Sequence, residues 1–262
     1  MKILKLIAFT FCMSSFVLVS LPFLPLLLVL KMFARQKLVF LVSLLSKSLV
    51  KTLNIKVQYK IPDEYEANKN YLIVSNHLSY LDVIILAAKF PGCFVTSKEI
   101  QRTPILGQLT SLAGCVFVDR KDKSKIKDEI TELRSALDYG LNVVVFPEAT
   151  STNGEDVLRF RRPLFEASIA TQKPILPITI NYLKIDNCDV TTVNRDIVCW
   201  YGDMGFLGHF LKVLEQKTII VEIILSAPFL PELLPSLDLA LKSHQMVKSK
   251  YICFSNPAME AL

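Results

Sequence analysis

His77 and Asp82 stand five positions apart in Asn76-His77-Leu78-Ser79-Tyr80-Leu81-Asp82, directly after the apolar run Tyr71-Leu72-Ile73-Val74. That run reads as a buried strand, so the pair falls where a strand gives way to the next element. A histidine exchanges protons near neutral pH. An aspartate beside it can hold the imidazole in one tautomer and stabilise the imidazolium once it forms. Together they suit taking a proton from a hydroxyl whose oxygen then attacks an acyl carbonyl. The chain has three histidines, His77, His209 and His244, and His77 alone sits at such a strand-to-helix junction. A structural role competes for Asp82. The apolar segment from Asp82 to Ala88 is helix-like, and Asp82 is placed to cap its N-terminus. Capping and catalysis are compatible.

Beyond about residue 52, strand-like and helix-like segments alternate along the chain. Strands are expected at Tyr71–Ser75, Cys93–Thr96, Val116–Asp119, Asn142–Phe146, Ile175–Ile180, Ile197–Tyr201 and Thr218–Leu225. The clearest helix is Ser124–Tyr139, where Ile126, Ile130, Leu133 and Leu137 share one face and Gly140 supplies a stop. Such alternation predicts an α/β fold, a mixed and largely parallel sheet flanked by helices. Three further apolar runs end in polar residues. Gly114-Cys115-Val116-Phe117-Val118-Asp119-Arg120 delivers an arginine, and Phe146-Pro147-Glu148-Ala149-Thr150-Ser151 closes a strand with a glutamate and hydroxyls. Pro177 lies within Ile175-Leu176-Pro177-Ile178, which predicts an edge or a bulge. Sites in open α/β sheets collect at the carboxyl ends of strands. Arg120 and Thr150 would then meet near His77 and suit an anionic group such as a phosphate. Read singly, Arg120 is equally a solvated residue opening a charged helix, and Glu148 an ion-pair partner or cap.

The chain of 262 residues is 52% hydrophobic, and much of the excess lies at its start. No charged residue occurs from Leu6 to Leu30, a run long enough to cross a bilayer as a helix. Its length, and the lack of a small-x-small pattern, favour an uncleaved anchor over a secretory signal. Pro22 and Pro25 predict a kink or a turn back within it. The shorter run Leu38 to Leu45, with Lys47 and Lys51 behind it, reads as an interfacial amphipathic helix. Residues 1–51 are therefore expected to form a membrane-binding helical segment, and residues 52–262 one catalytic α/β domain. The net charge is +6, with basic clusters at residues 120–127 and at Arg159-Phe160-Arg161-Arg162. Beside an apolar anchor these suit an anionic membrane surface better than nucleic acid, for which no motif is present. The six cysteines lack C-x-x-C or metal spacing and read as small buried hydrophobes in a reducing compartment, with no metal site.

The order and wording of these stretches resemble the glycerolipid acyltransferase family, whose best-known bacterial member is 1-acylglycerol-3-phosphate acyltransferase. The family motif N-H-x-x-x-x-D is met at Asn76, His77 and Asp82, and G-x-x-F-x-D-R at Gly114, Phe117, Asp119 and Arg120. The third, F-P-E-G-T, is met at Phe146, Pro147, Glu148 and Thr150, with Ala149 in place of glycine. An apolar-Pro-apolar core stands at Leu176-Pro177-Ile178. The resemblance covers roughly residues 50 to 226. It implies acyl transfer from acyl-CoA or acyl carrier protein, as co-substrate and without a cofactor, to a lysophospholipid hydroxyl. In that reaction His77 takes the hydroxyl proton, Asp82 orients the ring, and no acyl-enzyme forms. Arg120, Glu148 and Thr150 would hold the acceptor, Glu148 by orienting, and Lys98 would add positive potential. The family reading also places the protein at the inner membrane with its catalytic domain facing cytoplasmic thioesters.

Two departures bear on the acceptor. Ala149 adds a methyl where the backbone of the motif needs φ > 0 or a close approach, and Phe160-Arg161-Arg162-Pro163 stands where a phenylalanine, basic residues and a glycine are common. They leave acyl transfer intact and make another lysolipid, such as lyso-ornithine lipid, the alternative acceptor to lysophosphatidate. A hydrolase with Ser79 as nucleophile is disfavoured because no G-x-S-x-G elbow occurs. A lipid carrier without catalysis has no use for a base.

Overall fold

The computed structural model describes residues 1–103, 106–119 and 125–255. Three helices come first, α1 (Lys2–Ser20), α2 (Phe23–Val29) and α3 (Lys31–Leu53). The helix breaks at Leu21-Pro22, between α1 and α2, and the chain leaves helical geometry at Leu30, just before α3. Pro25 lies in the first turn of α2, where the amide it lacks has no intrahelical acceptor. The start of α1 is tied to the far end of α3, so the two helices run antiparallel. Lys5 Nζ donates to the Leu53 carbonyl at 3.0 Å and to the Gln216 carbonyl at 2.7 Å. Both acceptors are at helix ends, where carbonyls lack intrahelical partners and a cation is favoured.

α1 is long and apolar enough to cross a membrane, and most of it is exposed, including Ile3, Ile7, Phe11 and Leu18. The run Leu38 to Leu45 falls inside α3. Leu38 and Val39 are buried and Phe40 and Leu44 exposed, so one side of the run packs on the body and the other faces out.

After these come β1 (Ile55–Lys60), β2 (Leu72–Ser75), α4 (Tyr80–Lys89), β3 (Gly92–Ser97), α5 (Lys98–Arg102) and α6 (Leu106–Leu112). Then follow β4 (Val116–Val118), α7 (Ile126–Asp138), β5 (Asn142–Val145), α8 (Glu166–Thr171), β6 (Ile175–Ile185) and β7 (Cys188–Asp189). α9 (Phe206–Glu215), β8 (Ile219–Leu225) and α10 (Ser236–Lys248) complete the described chain. The strands form one mixed sheet in the order β1-β8-β6-β2-β5-β3-β4, with β7 paired to β6. From β6 to β4 every neighbouring pair is parallel, while β8 runs antiparallel to β6.

Helices cover both faces, which is why the central strands are continuously apolar. Ile73 and Val144 pack with α4, α9 and the end of α3. Their neighbours Leu72, Val74, Val143 and Val145 pack on the opposite face with α7, α8 and α10. Burying one such side chain contributes roughly 1.5–3 kcal/mol.

Four expectations need correction. Ile197–Tyr201 is not a strand. A 3-10 turn occupies Arg195–Ile197, and the Trp200 N–H donates to the Leu78 carbonyl at 2.8 Å instead of entering a ladder. Its apolar residues Val198 and Cys199 are buried against the layer that carries α4 and α9. Pro177 sits in β6, an interior strand, and pairs with Val74. Its carbonyl accepts from the Ser226 N–H at 2.9 Å, just past the end of β8. The N–H and C=O of one strand residue point the same way, so the missing donor faces a ladder that is already ending. A strand at Ile55–Lys60 was not foreseen, and it now forms one edge of the sheet. The cysteines are not uniformly buried, since Cys188 and Cys253 are exposed. The predicted helix at Ser124–Tyr139 is α7, and Ser124 lies outside the described residues.

Candidate active site

β2 stops at Ser75, and the side chain of Asn76 continues its ladder. Asn76 Nδ2 donates to the Ile180 carbonyl at 3.0 Å, and its Oδ1 accepts from the Ile180 N–H at 2.8 Å. A side-chain amide thus replaces a peptide, and the backbone is freed to turn towards α4. His77 is held at that turn from two sides. Its N–H donates to Glu148 Oε1 at 2.7 Å, and its carbonyl accepts from the Thr152 N–H at 3.0 Å. The imidazole lies flat on Phe146, with ring centroids 4.0 Å apart and planes 14° from parallel. Among the described residues nothing bonds to Nε2, and the side chain keeps 19% of its surface exposed.

Asp82 is fully buried in the first turn of α4. Its Oδ2 lies 2.9 Å from His77 Nδ1 and accepts from the Leu78 and Ser79 N–H groups at 2.7 and 2.8 Å. Its Oδ1 accepts from the Tyr182 hydroxyl at 2.7 Å. In the Ser79 contact a third-position side chain reaches back to the N-cap amide, so one carboxylate caps the helix and orients the histidine. Because that carboxylate accepts, Nδ1 carries the imidazole proton and Nε2 is left as the basic atom. Among the described residues Ser79 Oγ is buried without a hydrogen-bond partner, and no bond joins it to His77. It is not presented as a nucleophile.

Glu148 joins the first and third motifs. One oxygen takes the His77 N–H, and the other accepts from the Leu158 N–H at 2.7 Å. Burial pushes its carboxyl up to about 8, although the two N–H donors pull the other way. Both oxygens are thus engaged by the backbone around His77 and Leu158. Thr150 is exposed on the same loop. Lys98, at the end of β3, lies 3.9 Å from Asp119 just beyond β4. Since β2, β5, β3 and β4 are parallel neighbours in that order, Lys98 stands about 10 Å along the sheet from His77. Arg120 lies outside the described residues.

Ala149 has φ of +61°, the left-handed conformation that glycine would take without strain. Ala149→Gly is expected to stabilise the protein by about 1 kcal/mol, read as a higher thermal midpoint in detergent. A lower midpoint would mean that the alanine methyl contributes packing that outweighs the backbone cost.

Tyr182 and Thr152 were not anticipated as site residues. Tyr182 had a usable signal. Ile178, Ile180 and Tyr182 alternate along β6, which places the phenol on one face with two core residues. Burial, then the facing Asp82, push that phenol well above its usual range, so it remains a donor. Beside the site, the Tyr80 hydroxyl donates to His209 Nδ1 at 3.0 Å. His209 Nε2 in turn donates to the Cys199 carbonyl at 3.0 Å, which fixes the tautomer. Tyr80 also contacts the rings of Trp200 and Phe206.

A family profile described as Acyltransferase matches residues 56–181. A lyso-ornithine lipid O-acyltransferase of Rhizobium meliloti is 29% identical over 181 residues, 66% of this chain and 62% of the relative. A second protein of that name, from Brucella abortus, is 29% identical over 60% of this chain and 61% of its own length. A 1-acyl-sn-glycerol-3-phosphate acyltransferase of Neisseria gonorrhoeae is 27% identical over 68% of each chain. The alignments thus span somewhat under two thirds of the first two relatives. The crystal structure of the 1-acyl-sn-glycerophosphate acyltransferase from Thermotoga maritima superposes with a TM-score of 0.65 at 18% identity. It covers 95% of this chain and 93% of that one, so the fold is shared throughout. Profile, relatives and fold point the same way: residues 56–181 are similar to the acyltransferase family, and the chain has the fold of the Thermotoga maritima enzyme.

Proposed function

We propose that the protein moves a fatty acyl group from a thioester, acyl-CoA or acyl carrier protein, to the free hydroxyl of a lysolipid, with 1-acylglycerol-3-phosphate as the first acceptor. The observation that carries this reading is the His77–Asp82 pair at 2.9 Å, with Nε2 unpartnered among the described residues and the ring partly exposed. His77 Nε2 takes the acceptor's hydroxyl proton, and the oxygen attacks the thioester carbonyl. The C–S bond breaks, and the departing thiolate recovers the proton from the imidazolium. Asp82 holds the ring and stabilises its transient charge. Glu148 and Thr152 fix the backbone on which that ring is mounted. Lys98, with Arg120 and Thr150, supplies the positive and hydroxyl groups for an anionic acceptor.

α1 supports a membrane location. Its start is pinned to the body through Lys5, while Ile3, Ile7, Phe11 and Leu18 face outward. In this reading the apolar face meets the bilayer at the inner membrane, and the catalytic domain faces the cytoplasm, where thioester donors are found.

A second acceptor has its own support. Lyso-ornithine lipid O-acyltransferases are among the relatives at 29% identity, and Ala149 departs from the glycine of the third motif next to Thr150. The test is an acceptor panel with purified full-length protein in detergent. It pairs acyl-CoA with lysophosphatidate, other lysophospholipids and lyso-ornithine lipid. At least a ~10-fold preference in kcat/KM for lysophosphatidate is the expected result, equivalent to about 1.4 kcal/mol. A preference for lyso-ornithine lipid would replace the acceptor and keep the chemistry. Absence of any diacyl product would remove both.

A further inference from the structure

Among the described residues, Tyr182 is the one side chain hydrogen-bonded to the far oxygen of Asp82. β6 runs past the end of β2, and the pair of hydrogen bonds between Asn76 and Ile180 locks the register at the crossing point. Residues two apart on a strand face the same side, so fixing Ile180 also fixes Tyr182. Its hydroxyl donates to Asp82 Oδ1 at 2.7 Å, and both residues are buried. Asp82 Oδ2 is already shared by His77 Nδ1 and two backbone N–H groups. The carboxylate therefore has a donor on each oxygen and cannot rotate without losing one.

We propose that Tyr182 is a positioning residue for the acyl transfer, holding the plane of Asp82 and drawing negative charge away from the oxygen that faces His77. This inference rests on the His77–Asp82 reading above. A hydrogen bond to Oδ1 weakens the pull of Oδ2 on the imidazolium. Asp82 without that donor binds the imidazolium more strongly, so protonation of the ring sets in at higher pH.

The test is Tyr182→Phe, which keeps the ring and removes only the hydroxyl. Two measurements are made on the full chain in detergent. In the first, kcat/KM is expected to fall about 10-fold, the acid limb of its pH profile to move upward by about half a unit, and KM for the acceptor to hold within two-fold. In the second, the three histidine rings are labelled with 13C and titrated by NMR, with His77→Gln used to assign the His77 signal. The His77 titration is expected to move in the same direction as the acid limb, while those of His209 and His244 stay in place.

Superimposable pH profiles and an unmoved His77 titration would overturn the proposal and leave Tyr182 a core residue. So would a rate loss accompanied by an unmoved titration. If the His77 titration moves but neither protein makes diacyl product, the coupling stands and the acyl-transfer reading fails. The NMR arm needs no turnover, so the two failures are distinguishable.

Discussion

In His77→Ala the rate of acyl transfer is expected to fall by about 10³-fold, within the range for loss of a general base, with the fold retained. His77 Nε2 is the basic atom presented at the end of β2. The neighbouring serine is buried and makes no bond to the ring, so no second nucleophile takes over. The fold should survive because the structural bonds at this position belong to the backbone. The N–H to Glu148 and the carbonyl from Thr152 do not depend on the side chain. Asp82 loses one of four donors and keeps three. Initial rates from acyl-CoA and the preferred lysolipid, beside circular dichroism spectra of both proteins, make the comparison. A variant that folds and retains a rate within a few-fold of the parent would remove His77 from the mechanism.

Asp82→Asn should cost both rate and stability. An amide accepts through one oxygen only, and its NH2 group meets a site built wholly of donors. Placed with its oxygen towards Tyr182, it presents N–H groups to His77 Nδ1–H and to two backbone amides. Placed the other way, it faces the phenol hydroxyl. In the first arrangement the imidazole is driven to the wrong tautomer, and the proton then sits on the atom that must receive one. Loss of an orienting aspartate in this way lowers turnover by about 10⁴-fold in the serine-protease case, and a similar magnitude is expected here. Breaking a buried charged network also destabilises by about 3 kcal/mol, because Asp82 caps α4 as well as steering His77. The paired measurements are thermal midpoint and initial rate. His77→Ala should lose rate alone and Asp82→Asn both. The double variant should be scarcely slower than the worse single one, since the two residues act as a unit. An Asp82→Asn protein as active as the parent would show that the residue only caps.

The two positions that the sequence offers Asp82, helix cap and partner of His77, are filled in one arrangement. A residue at the third position of a helix reaches back to the N-cap amide, and His77 lies just before that cap. Short-range spacing therefore carried the pair. Glu148 illustrates the limit of such reading. Its motif put it at a strand end, but the recipients of its two bonds, at residues 77 and 158, depend on β2 and β5 lying side by side. Ile197–Tyr201 shows the opposite failure. Its continuous apolar run looked like a strand, yet the segment spends its hydrogen bond on Leu78 and its side chains on an existing core. A short apolar run reports burial, not the presence of a strand partner.

What the sequence alone determined is local or periodic: the His-x-x-x-x-Asp spacing, the apolar strands buried on both faces, the helix of α7, the break at Pro22. These follow from backbone geometry over a few residues, which hydrophobic pattern and proline chemistry reveal directly. Tertiary structure alone decided the partners across the fold. Tyr182 reaches Asp82 over a hundred residues of chain, Lys5 closes the ends of two helices, and Pro177 is accommodated inside the sheet because β8 ends beside it. Such contacts arise from strand order and from the register set by Asn76 on Ile180. Register is a property of two strands paired in space, and neither strand encodes it by itself.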